Sequence, residues 1–158
     1  MCVYKTVSNK ENLEFQNEKF YYTDITSILT ASKITIAQYN WLIVDFECNY
    51  YPNEWETNRH EYIWLSGNEL SEILNSHRQL QFIWGIIVAY EQDKEFNEIR
   101  KVDLPLIDIN KFEIENIKMQ SELGVFEVVS IDSTAFSVTS KIKIYIENLK
   151  ENIIGLNN

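Results

Sequence analysis

Residues 39–48, YNWLIVDFEC, decide how this chain folds. Read with a period of two, Leu42, Val44, Phe46 and Cys48 share one face of a strand, while Trp41, Ile43, Asp45 and Glu47 share the other. The second face begins aromatic and ends acidic, so the strand is expected to leave the core toward its C-terminal end. Working outward, Glu61–Leu65 reads as a second strand and Leu80–Glu91 as a long one, with Leu80, Phe82, Trp84, Ile86, Val88 and Tyr90 on one side. Gly85 on the opposite side marks a bulge or a close crossing. Val125–Ile131 and Ala135–Thr139 form a hairpin about Asp132-Ser133-Thr134, whose side chains bond readily to the local backbone.

The same reading places a short strand over Met1–Val7 and a loop over Ser8–Lys19. Asp24 precedes Ile25, Ile28 and Leu29 at helical spacing and caps a helix over Ile25–Ser32. Ser66-Gly67-Asn68-Glu69 is a capping box opening a helix striped by Leu70, Ile73 and Leu74 and ending near His77. Glu91–Lys101 reads as a charged loop, and Leu104–Phe112 as an alternating edge segment around Pro105. Ile142, Tyr145, Ile146, Leu149 and Ile153 recur at helical spacing and predict a terminal amphipathic helix. The expected architecture is α+β: one domain over residues 1–158, a mainly antiparallel sheet covered by two or three helices.

Charge is distributed unevenly. The chain carries 24 acidic and 14 basic residues, a net charge of −10. Residues 40–75 hold seven of the acids (Asp45, Glu47, Glu54, Glu56, Glu61, Glu69, Glu72) against the single base Arg59, so they contribute −6 of that −10, together with three of the four Trp. Such a balance lacks the clustered Lys and Arg that phosphate binding needs, and anionic membranes repel it. It favours a basic protein as partner; the plainer reading is that the charge serves solubility. The longest apolar run, Phe82–Tyr90, is too short to span a bilayer. Cys2 and Cys48 form no CxxC, and no secretory signal follows Met1, so reduced thiols and a cytoplasmic location are expected.

No motif points to catalysis, a cofactor or a metal. His60-Glu61 opens like a zinc-protease helix, but the second imidazole's position is occupied by Trp64. No glycine-rich strand-to-helix turn is present for a nucleotide. Asp132-Ser133-Thr134 lacks a nucleophile elbow and is read as a turn. Cys48 with His60 or His77 would need spatial contact to work as a thiolate–imidazole pair. The carboxylate pairs Asp45/Glu47, Glu54/Glu56 and Glu113/Glu115 each project from one strand face if extended; the last is read as a solvated face. The first two stand beside large aromatics, as a protein-binding surface requires. Asp45, Glu47, Glu54, Trp55, Glu56 and Glu61 are therefore the expected contacts.

Three segments, Tyr62–Leu70, Gln81–Gly85 and Glu127–Thr134, resemble in order and spacing small bacterial proteins, some of which are immunity proteins of contact-dependent and other polymorphic toxin systems. The likeness runs from Glu61 to Thr139 and consists mainly of core strands and the capped helix. It implies an inhibitor that binds its cognate toxin domain in the cytoplasm. A basic nuclease domain is the toxin that an acidic, aromatic surface suits best. The competing expectation is a small hydrolase that uses carboxylates or Cys48.

Overall fold

The structure, a computed structural model, describes residues 3–8, 13–21, 24–55, 62–105 and 118–156. In chain order the elements are β1 (Tyr4–Ser8), β2 (Glu14–Phe15), β3 (Glu18–Lys19), α1 (Ile25–Ser32), β4 (Tyr39–Cys48), β5 (Tyr62–Ser66) and α2 (Gly67–Ser76). They continue with β6 (Phe82–Glu91), α3 (Phe96–Val102), β7 (Phe126–Ile131), β8 (Ala135–Ser140), α4 (Lys143–Asn152) and β9 (Ile153–Ile154). Six strands form a wholly antiparallel sheet in the order β1-β8-β7-β6-β4-β5, and β3-β2-β9 form a small second sheet. The fold is thus α+β with a mainly antiparallel sheet.

Helices α1, α2 and α4 cover one face of the large sheet. Their Ile25, Ile28, Leu70, Ile73, Ile146 and Leu149 join Trp41, Ile43, Phe126 and Val128 in one core. A smaller core lies on the opposite face, where Leu42, Val44, Ile86, Val88, Tyr90 and Val129 pack beneath Phe96 and Ile99 of α3. Burial on both faces explains why β4 and β6 read as nearly continuous apolar runs.

The expected alternation along β4 breaks at Asp45. Val44 pairs with Ile86 but Glu47 pairs with Trp84, so one extra residue enters β4 there; a compensating residue enters β6 between Trp84 and Phe82. Asp45 takes a positive φ of 49° at this bulge. Phe46 and Cys48 consequently move to the helix-covered core with Trp41 and Ile43, rather than sharing a face with Leu42 and Val44. Phe82 changes sides in the same way. Gly85 allows this double crossing: a Cβ there would meet Phe46 Cβ at 3.1 Å and the Phe82 ring at 3.2 Å.

The helix signals act as their chemistry predicts. Asp24 caps α1 through Ser27 N (3.1 Å) and Ser27 Oγ (2.6 Å). The Ser66–Glu69 box is complete, with both partners bonded. At the far end of α1, Asn152 and Asn148 of α4 donate to the carbonyls of Ala31 (2.9 Å) and Ser32 (3.0 Å). Those side chains satisfy acceptors that a helix end leaves open. The Ile131–Thr134 turn closes by Thr134 N–H to Ile131 O (2.9 Å), with Asp132 and Ser133 both at positive φ.

Three further expectations are corrected. Residues 96–102 form α3, not loop, because Phe96 and Ile99 bury against the second sheet face. The segment read as loop before residue 20 contains β2 and β3. Ile153 leaves the terminal helix to pair in β9 with Phe15. The predicted strand over Leu104–Phe112 lies outside the described residues beyond Pro105.

Candidate functional site: an acidic groove beside the edge strand

The turn at Asn53–Trp55, strand β5 and helix α2 enclose a groove of about 290 Å³ lined by Glu54, Leu65, Glu69, Glu72, Ile73 and Ser76. Its apolar lining comes from Leu65 and Ile73. Three of the six lining residues are carboxylates, and none is basic. The field in such a depression attracts cations more strongly than scattered surface acids do.

Glu54 and Glu69 each have an identifiable anchor. Trp55 is fully buried, with its ring 5.8 Å from Phe46 and 5.9 Å from Phe82. It nails the 53–55 turn onto the helix-side core and leaves Glu54 exposed beside it. Glu54 Oε2 lies 3.3 Å from His77 Nε2, and the Tyr50 hydroxyl lies 3.3 Å from His77 Nδ1. Glu69 receives both Ser66 N–H (2.7 Å) and Ser66 Oγ–H (2.8 Å) on Oε2, which fixes its rotamer at the groove. The stripe Leu70, Ile73 and Leu74 faces the core, so Glu72 and Ser76 turn outward.

Of the six expected contacts, the four within the described residues do not form one patch. Glu54 belongs to the groove. Trp55 is a correction: it is a core residue with no exposed surface, because its large apolar ring packs better between Phe46 and Phe82 than against water. Glu47 is exposed but lies between two residues of the helix-side core, so it projects from the opposite face of the sheet. Asp45 is exposed at the bulge. Glu56 and Glu61 fall outside the described residues. Glu69 and Glu72 stand outside the six expected contacts, although the polar side of the α2 stripe marks them as facing solvent.

A second polar cluster sits under the opposite face. Glu127 is 1% exposed, and its carboxylate accepts Gln120 N–H (3.2 Å) and Ser121 N–H (3.1 Å). Buried Asp103 accepts Glu122 N–H (2.6 Å) and Leu123 N–H (3.2 Å), so two carboxylates hold four consecutive amides. The Tyr90 hydroxyl completes the cluster at 2.8 Å from Ser121 Oγ. Desolvation pushes the Glu127 carboxyl up to about 7; the Gln120 and Ser121 amides pull against that shift and the Asp103 charge adds to it.

Cys48 is buried, and desolvation with the nearby Glu47 charge pushes its thiol up to about 12. A nucleophilic thiolate requires the reverse environment. His77 is engaged with Glu54 and Tyr50. Among the described residues no group of three or more His, Cys, Asp or Glu is placed to hold a metal, and no helix is long and apolar enough to cross a membrane.

The opposite edge of the sheet carries the other sign. A depression of about 390 Å³ there is lined by Val3, Lys5, Lys118, Met119 and Thr139. Set against known proteins, the chain matches no family, no curated protein and no solved structure.

Proposed function

We propose that this chain is a binding protein of the immunity type, which neutralises a basic toxin domain by capturing it at the Glu54–Glu69–Glu72 groove. The observation that carries the reading is the groove itself: three carboxylates, Glu54 and Glu69 among them anchored, lining a depression with apolar Leu65 and Ile73. Carboxylates speed encounter with a cationic surface, and the apolar lining gives an inserted aliphatic stem or ring something to bury. The resemblance to immunity proteins supports the same reading, since its first segment, Tyr62–Leu70, supplies Leu65 and Glu69 to the groove. A nuclease domain fits best, because its substrate-binding cleft is cationic. Inhibition then follows from covering that cleft or its margin.

The test is titration with the protein encoded by the reading frame immediately upstream, where a cognate toxin is expected. Glu54→Lys/Glu72→Lys should weaken that complex by about tenfold or more, since each reversal replaces an attractive contact by a repulsive one. Unchanged affinity would remove the groove from the interface.

A further inference from the structure

We infer that the outer edge of β5 is a docking edge that takes up an extended strand of the basic partner, in which Lys or Arg alternates with apolar residues. The inference rests on the capture reading above and specifies how the captured chain is held. β5 ends the large sheet and pairs only with β4 among the described residues. In an antiparallel pair, residues that turn N–H and C=O toward their partner alternate with residues that turn both away. Ser66 N–H is given to Glu69 Oε2 and not to the facing Asn40, so Ser66 belongs to the outward set. By alternation, Tyr62 and Trp64 turn their backbone N–H and C=O groups to the side away from β4.

Among the described residues this edge lacks the usual protection. Proteins blunt exposed edges with charge, proline or a bulge. Tyr62–Ser66, YIWLS, carries none of these, and its pairing with β4 is regular over all five residues. The opposite edge strand, β1, does carry a charge, Lys5. An unblunted edge of this composition invites strand addition, in which backbone bonds supply affinity and alternate side chains supply specificity.

Charge complementarity selects the occupant. A strand added beside β5 continues both faces of the sheet. On the helix-covered face its side chains fall next to Leu65, at the mouth of the groove lined by Glu54, Glu69 and Glu72. On the other face they meet a half-buried aromatic shelf, where the Phe96 ring stands 4.5 Å from Tyr62 and 5.6 Å from Trp64. Cations are favoured on the first face and apolar residues on the second, which is a period of two. A second copy of this chain suits the edge poorly, because it would bring two acidic grooves together.

The experiment uses two peptides of identical side chains: acetyl-(Lys-Val)4-amide, and the same peptide N-methylated at its four central residues, which removes donors on both edges without changing charge. Amide exchange of Tyr62 and Trp64 is followed by NMR in the intact chain. The first peptide should slow exchange at both positions by about tenfold or more and the methylated one should not. If both peptides bind alike and leave those amides unchanged, strand addition is overturned while capture by charge survives. If the first peptide does not bind, strand addition is likewise overturned, and titration with the upstream-encoded protein decides the capture reading separately. Protection of Tyr62 and Trp64 without peptide, together with dimeric mass in solution, would overturn the inference in favour of self-pairing.

Discussion

Glu127→Gln should change how stability depends on pH. The carboxyl is buried in the second core face and held up to about 7, against 4.5 for the free side chain, chiefly by desolvation. Between those values the folded chain keeps a proton that the unfolded chain has shed. Stability therefore falls as pH rises from about 4.5 to about 7, and the loss is complete above the folded value. A shift of this size corresponds to roughly 3 kcal/mol at about 1.4 kcal/mol per pH unit. Gln has the same shape, keeps one acceptor for the Gln120 and Ser121 amides, and does not titrate. Urea unfolding of both proteins at half-unit steps from pH 4.5 to 8 isolates the contribution, because the other acids are common to both. The difference between the two stability curves should change by roughly 3 kcal/mol across that range, with Glu127→Gln gaining relative to the parent as pH rises. Parallel curves would refute the reasoning and place Glu127 in contact with water.

Trp55→Ala should cost about 3–5 kcal/mol of stability, as for other fully buried large side chains, and denaturant melts will show it. Gly67→Ala should cost about 3 kcal/mol or more, because its Cβ would stand 2.1 Å from Ile36 O and 2.6 Å from Ala37 Cα, both unyielding backbone atoms. Asp24→Ala should cost about 1 kcal/mol through loss of the α1 cap, read by the same melts. Cys48 should react with iodoacetamide at pH 8 at least about a hundredfold more slowly in the native than in the urea-unfolded chain, since burial disfavours its thiolate.

Local chemistry made the elements legible. The Asp24 cap, the Ser66–Glu69 box and the apolar strands β4, β6, β7 and β8 are set by near neighbours, and their residues state where these elements lie. What stayed hidden depends on distant partners. The bulge pairs an extra residue in β4 with one in β6, and period counting within one strand cannot reveal a register shift shared by two. Helix α3 is short and becomes amphipathic only once a second sheet face exists to receive Phe96 and Ile99. The bulge also separates Glu47 from the Glu54 side of the sheet. Acid on both sides of Trp55, Glu54 and Glu56, disguises a core anchor as surface in the sequence. Glu127 sat in an apolar strand with no sign that backbone amides 120 and 121 would come to meet it.

The most direct measurement is a hydrogen-exchange footprint of this chain bound to the protein encoded immediately upstream. Protection concentrated over Tyr62–Ser76, with Glu47 and the Lys5 edge unaffected, is the predicted result. Protection confined to the Lys5–Lys118 depression, or spread evenly over the surface, would contradict capture at the acidic groove.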